Sequence, residues 1–220
     1  SKKIDLFFLK QILNFEKENQ NSNTLENRYI FFFLSLIIIF FFSEKFNTNS
    51  VDLFHEGQAL SGALNFKESG DLWSNSFVVT GLFVDILNAN ISWKLTNIQS
   101  ISSYRFFIEI MTSITAFIIF LFLFKISNKV RLNKSYKLIL FIMLCTFSYS
   151  LIKNFTFSYR EIPIFLFLIM SFNFLVLEKK NFFLFLILGM LPIFSLLWSL
   201  DRGIFLCASY IAFFLILLVN

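Results

Sequence analysis

The sequence predicts an all-α, polytopic transmembrane protein with about six spans, and three observations predict it. Hydrophobic residues make up 57% of the 220 positions, well above the roughly 45–50% usual in soluble domains. They are gathered into blocks of 15 to 19, close to the ~20 residues that cross a hydrocarbon core about 30 Å thick. Lys and Arg are unevenly divided between the loops that would face opposite sides of a bilayer, the bias that sets orientation in helical membrane proteins. The 35 Phe, beside only two Pro and six Gly, reflect an AT-rich coding bias as much as a functional choice.

Residues 1–28 read as a cytoplasmic segment with a short amphipathic helix, in which Ile4, Phe7, Phe8 and Ile12 recur at helical spacing and could lie in the headgroup plane. The first span, 29–43, follows a polar, mixed-charge stretch and precedes no small-residue cleavage pattern, so it is expected to be a retained anchor. Residues 44–104 form a long non-cytoplasmic loop. Five further spans are expected within 105–220, at about 106–124, 138–152, 162–177, 182–200 and 203–219. Each must be helical, because backbone polar groups in lipid have to be satisfied within the segment. The chain stops at "FFLILLVN", directly on an apolar run, which suggests a fragment with further spans missing.

Charge fixes the orientation. With the N-terminus inside, 12 of the 19 basic residues and five of the 14 acids fall on the cytoplasmic side. The net charge of +5 is therefore a topology signal, and no nucleic-acid partner is needed to explain it. The expected location is a bacterial inner membrane, multi-pass. Cys145 and Cys207 lie inside apolar blocks, where a thiol acts as a small hydrophobe, and they suggest neither a disulfide nor a metal site.

The long outer loop holds four of the six Gly, two of the three Trp, the single His and six acids. Within it, 52–67 reads as a helix with Leu53, Gly57, Leu60 and Leu64 along one side, ended by "ESGD" at 68–71. Trp73 and Trp93 suit an interfacial position, since indole is apolar with one polar handle. Asp52 and Glu56 are four apart and would share a helix face. Two carboxylates so placed suit general-base work or oxygen ligation of a divalent ion, although ordinary wet-face acids would show the same spacing. His55 lies one position off that face and could tune or orient the pair, or help to bind substrate.

Three further sites stand at the outer ends of spans. Arg105 and Glu109, four apart, suit an ion pair within one helix. "SYREIP" puts Arg160 and Glu161 just before a span, with Pro163 suited to a helix's first turn. "WSLDRGIF" puts Asp201 and Arg202 in a tight outer turn closed by Gly203. Arg160 and Arg202 could grip a phosphate, because a guanidinium fork matches phosphate oxygens. Phosphate-binding Gly-rich loops, HExxH and CxxC are absent from the sequence, which leaves a nucleotide-driven engine or zinc protease unsupported.

A first span, a long outer loop with an acidic stretch close behind it, and many spans thereafter resemble the type C integral-membrane glycosyltransferases, which use lipid-phosphate sugar donors. "VDLFHEGQALSGALNFKESGDLW" at 51–73 is the part similar in detail. The resemblance implies that Asp52 or Glu56 is the catalytic base or a metal-binding carboxylate, with Mg2+ or Mn2+ as the ion. On the expected topology Arg160, Asp201 and Arg202, with Glu161 beside them, are placed where outer-loop residues could meet the phosphate of a polyprenyl-phosphate-type sugar donor, although they match no defined motif of the family. Two departures stand: "DLFHE" separates acids that are often adjacent in the family, and six spans are fewer than members usually have. The expected activity is transfer of a hexose or pentose to an envelope glycan, lipid or protein at the outer leaflet. A transporter or flippase-like protein and a non-catalytic membrane scaffold of envelope biogenesis are the rival expectations.

Overall fold

The computed structural model describes residue 25 and residues 54–72, 78–130, 132–153, 158–175 and 182–219. The N-terminal amphipathic segment apart from Leu25, the first span, Asp52 and Trp73 lie outside the described residues. Among those described, all regular structure is helical.

Helix α1, His55–Ser69, ends where Gly70 takes the left-handed conformation at φ 72° and returns its N–H to the Phe66 carbonyl. Glycine suits this position because a Cβ is disfavoured there. The buried side of α1 is Ala59, Gly62 and Ala63, while Leu64 is exposed. The stripe expected through Leu53, Gly57, Leu60 and Leu64 is thus displaced. The reason is close approach: a Cβ on Gly62 would stand 2.4 Å from the Asp85 carbonyl oxygen. Small residues, not leucines, let α1 rest on the next segment. That segment is a π-helical turn, Phe83–Leu87, running into α2, Asn88–Thr96, which ends at Asn97 with φ 55°. Trp93 is buried with Ala59, Ala63, Ala89 and Tyr104, and its indole N–H donates to the Ser100 carbonyl at 3.1 Å. Packing inside the protein satisfies its polar handle.

Helix α3, Ile101–Lys129, is capped by Ser100, whose hydroxyl accepts from the Ser103 N–H at 3.1 Å. Its 29 residues rise about 44 Å at ~1.5 Å each. Helix α4, Lys134–Lys153, folds back on α3 through Phe120, Phe124, Phe141 and Cys145. A single 3-10 turn, Tyr159–Glu161, leads into α5, Ile162–Leu175, which also packs on α3. Helices α6, Phe182–Trp198, and α7, Leu200–Val219, are separated by Ser199 alone. They form an antiparallel hairpin, since Gly203 meets Leu196 and Gly189 meets Tyr210. Phe167 of α5 joins Leu188, Leu191, Leu206 and Phe213 in the core between them.

Each described helix from α3 onward coincides with an expected span to within a few residues. Two of them, α3 and the Lys134–Ile152 portion of α4, are long and apolar enough to cross a membrane. Apolar side chains also project outward in series, among them Phe147, Phe183, Met190, Ile193, Phe205 and Ile211. The polar and charged groups collect at the helix ends. One end carries the starts of α1, α3, α5 and α7; the other carries the α3–α4 connection.

Candidate functional site

At the first of these ends, two short segments build a charged network. The "SYRE" sequence forms a capping box, in which a side chain at each end satisfies a backbone donor at the other. The Glu161 carboxylate accepts from the Ser158 N–H at 2.6 Å and its hydroxyl at 3.0 Å. The Ser158 hydroxyl accepts from the Arg160 N–H at 3.3 Å. This local bonding turns Arg160 and Glu161 toward the α6–α7 junction. Arg160 donates from Nε to the Ser199 hydroxyl at 3.1 Å and from Nη2 to Asp201 Oδ1 at 2.7 Å. Arg202 donates from Nε to Glu161 Oε1 at 2.6 Å and lies 3.2 Å from Asp201 Oδ2 through Nη1.

Asp201 is the shared partner. Its Oδ1 also accepts from the Ser199 hydroxyl at 2.6 Å and the Arg202 N–H at 2.9 Å. Burial pushes its pKa up, but the Ser199 and Arg202 N–H bonds, with the charges of Arg160 and Arg202, outweigh that and hold it below its usual value. Asp201 and Arg202 belong to the first turn of α7, where a tight turn closed by Gly203 was expected. Gly203 instead sits inside the helix, where a Cβ would come within 2.5 Å of Leu196 backbone atoms. It permits the hairpin to close.

The floor of this network comes from residues 79–85. Asp85, only 2% exposed, accepts from the backbone N–H groups of Val79, Thr80 and Gly81 and from the Thr80 hydroxyl. The loop so gathered offers the Thr80 carbonyl to the Leu200 N–H at 2.6 Å. Gly81, at φ 144°, presses on the junction so closely that a Cβ would be 2.6 Å from the Trp198 carbonyl oxygen. Trp198 stacks on Phe83, with ring centroids 3.7 Å apart, and donates from Nε1 to the Tyr159 carbonyl at 3.1 Å. Asp85, Ser158 and Ser199 were not singled out as site residues from the sequence. For Ser158 a signal existed, the S-x-x-E capping pattern; for Asp85 and Ser199 the contacts are tertiary.

A second charged contact stands at the same end. Glu56, in the first turn of α1, receives a two-point grip from Arg105 in the second turn of α3, Nε to Oε1 at 2.6 Å and Nη2 to Oε2 at 2.7 Å. Between the two groups lie Asn88, Tyr104 and Tyr159, all buried. Asn88 donates to the Tyr159 hydroxyl at 3.2 Å, and Tyr104 shares that hydrogen-bonded cluster. Burial pushes the Tyr159 pKa up to about 12, so this cluster is neutral and works by hydrogen bonding. His55 is exposed, with its ring edge-on to Phe54 at 5.1 Å between centroids.

The structure therefore brings Arg160, Glu161, Asp201 and Arg202 into one network and sets Glu56 apart against Arg105. Each guanidinium in the network keeps one terminal nitrogen, Nη1 of Arg160 and Nη2 of Arg202, without a partner among the described residues. Their side chains remain 26% and 33% exposed. Both Glu56 oxygens accept from Arg105, so a divalent ion at Glu56 would share the carboxylate with a guanidinium. No group of three or more His, Cys, Asp or Glu is disposed to hold a metal among the described residues. No family model, curated protein or solved structure matches the chain.

Proposed function

We propose that the chain is a multi-pass membrane protein, N-terminus cytoplasmic, that transfers a sugar from a polyprenyl-phosphate donor at the outer leaflet of a bacterial inner membrane. The membrane reading rests on the apolar exterior of α4, α6 and α7 and on the segregation of charge to the helix ends. A soluble surface would not carry contiguous apolar area of that extent. The observation that carries the chemistry is the pair of partly exposed guanidiniums that share Asp201 and each retain a nitrogen without a partner among the described residues. Together they offer donors to the oxygens of a departing phosphate.

In the reaction so read, an acceptor hydroxyl attacks the anomeric carbon and the carbon–oxygen bond to the lipid phosphate breaks. The phosphate leaves with the bonding electron pair. Arg160 and Arg202 stabilise the charge that develops on it, the kind of pre-oriented electrostatic assistance that outweighs most other catalytic terms. The acceptor proton passes to a carboxylate. Glu56 has both oxygens engaged by Arg105, so this role falls to Asp52, four residues before it in sequence. Glu56 and Arg105 then serve to hold α1 against α3.

The test is turnover of radiolabelled polyprenyl-phosphate sugars by the full chain in proteoliposomes. Transfer that is lost in Asp52→Asn and in Arg202→Lys is the expected result. Full transfer by both variants, or no turnover of any lipid-phosphate sugar by the parent chain, would sink the reading.

A further inference from the structure

Tyr104 and Tyr159 each stand one residue before an arginine that grips a carboxylate, Arg105 on Glu56 and Arg160 on Asp201. Both tyrosines are buried, and the fully buried Asn88 donates from Nδ2 to the Tyr159 hydroxyl at 3.2 Å. Asn88 and Tyr159 both bear on the Tyr104 hydroxyl. Asn88 is fixed in turn by its backbone, whose N–H returns to the Phe83 carbonyl across the π-helical turn. Tyr159 is also held on its other side: its carbonyl accepts from Trp198 Nε1 at 3.1 Å, and Trp198 stacks on Phe83. The residue before Arg160 is thus fixed from two directions, by α2 through its hydroxyl and by α6 through its carbonyl.

Polar side chains covered this deeply are unfavourable unless they are bonded, and phenylalanine and leucine would fill the same space. What a bonded polar cluster adds over an apolar one is a single defined arrangement, because a hydrogen bond has a direction and an apolar contact has none. We infer that Tyr159 is a positioning residue for phosphate capture, supported by Asn88 and Tyr104: the cluster sets the turn from which Arg160 reaches out and ties that turn to the start of α3, from which Arg105 holds α1. The inference rests on the sugar-transfer reading and deepens it. In that reading Arg160 must meet a phosphate oxygen as charge develops there, and a misplacement of about 1 Å lowers such a rate by up to ~100-fold.

Tyr159→Phe removes one hydroxyl and keeps the ring, the Trp198 bond to the Tyr159 carbonyl and the side-chain partners of Arg160. In proteoliposomes of the full chain with a radiolabelled polyprenyl-phosphate sugar, it should lower kcat about ten-fold and leave KM for the donor within about two-fold. Tyr104→Phe should lower kcat less, and the two changes together should lose less than the product of the single losses, since the hydroxyls act as a unit. Trp93→Phe is the control for stability alone: it breaks a buried bond of α2, to the Ser100 carbonyl, and should lower the melting temperature while keeping kcat. Hydrogen exchange at the Glu161 N–H, bonded to the Ser158 carbonyl, should speed up about ten-fold in Tyr159→Phe and stay at the parent rate in Trp93→Phe. Parent-like kcat in Tyr159→Phe, an equal kcat loss in Trp93→Phe, or parent-like exchange at Glu161 each overturn the inference. A parent chain that turns over no lipid-phosphate sugar strikes the sugar-transfer reading instead, and exchange at Glu161 then decides whether the cluster sets the turn.

Discussion

Arg105 holds Glu56 through two parallel hydrogen bonds of 2.6 and 2.7 Å, which ties the first turn of α1 to the second turn of α3 across 49 residues of sequence. Both side chains are largely covered, at 25% and 16% exposure, so solvent screens the contact less than a surface pair. A two-point grip of this kind depends on the planar fork of arginine. Arg105→Lys should therefore destabilise the protein by about 1 kcal/mol. A double-mutant cycle with Glu56→Ala and Arg105→Ala should return a coupling of about 1–3 kcal/mol. Thermal unfolding in detergent measures both, and additive losses would show that the pair is not coupled.

Asp85 should matter more than its place in a loop suggests. Its carboxylate gathers the N–H groups of three consecutive residues, and the loop so formed meets the α7 start through Thr80 and Leu200. Asp85→Ala leaves those donors without their acceptor and is expected to cost about 3 kcal/mol. Hydrogen exchange should speed up at Val79 to Gly81 and, through the Thr80 carbonyl, at Leu200. Gly81→Ala should act on the same contact from the other side, because φ 144° and a 2.6 Å approach to the Trp198 carbonyl leave no room for a methyl group; its expected cost is about 2 kcal/mol or more. Unchanged exchange at Leu200 in both variants would separate the loop from α7.

What could be read in the sequence and what could not divides along physical lines. The helices from α3 to α7 follow from apolar runs bounded by polar residues, because a helix in an apolar medium is specified by composition alone. The burying face of α1 was illegible, since Gly62 and the two alanines are chosen for closeness to the Asp85 backbone, and hydrophobic periodicity does not report closeness. Helical spacing proposed Arg105 with Glu109; the contact to Glu56 spans two helices and needs the fold. The meeting of Arg160 with Asp201 was foreseen only as a shared side of the membrane. Their common network comes from the α6–α7 hairpin and from the Ser158 cap, whose S-x-x-E pattern was on view in the sequence.

The two arginines of the network are expected to respond differently to replacement by lysine. Arg202 joins Glu161 to Asp201, using Nε and Nη1, and Glu161 is itself buried and serves the Ser158 cap. Arg202→Lys should loosen the capping turn and also lower affinity for a polyprenyl phosphate. Among the described residues the Arg160 guanidinium bonds Ser199 and Asp201, both of which retain other partners. Arg160→Lys should keep the melting temperature within a few degrees yet lower transfer or phosphate-lipid binding about ten- to hundred-fold, by loss of the fork. Binding of a radiolabelled polyprenyl phosphate, measured beside thermal unfolding, separates the two. If Arg160→Lys binds as the parent does, its free nitrogen has no part in phosphate capture.

Asp201 gives the network a defined response to acid. Its carboxyl is held below the usual aspartate value by the Ser199 and Arg202 bonds and the two guanidiniums, which together overcome the effect of burial. A group whose folded pKa is depressed binds fewer protons in the folded than in the unfolded state between the two values, so stability rises with pH across that window. Its contribution is fully present above the unfolded value and is lost as pH falls through the folded one. At 42% exposure the carboxylate is partly screened, and the effect should weaken as salt is raised. Asp201→Asn should therefore melt below the parent chain at neutral pH, with the gap narrowing as the pH drops beneath about 4. Melting curves of the two proteins across that range, at low and high salt, provide the check, and a gap that stays constant with pH would show that the charge on Asp201 contributes nothing to holding α7 against the Arg160 turn.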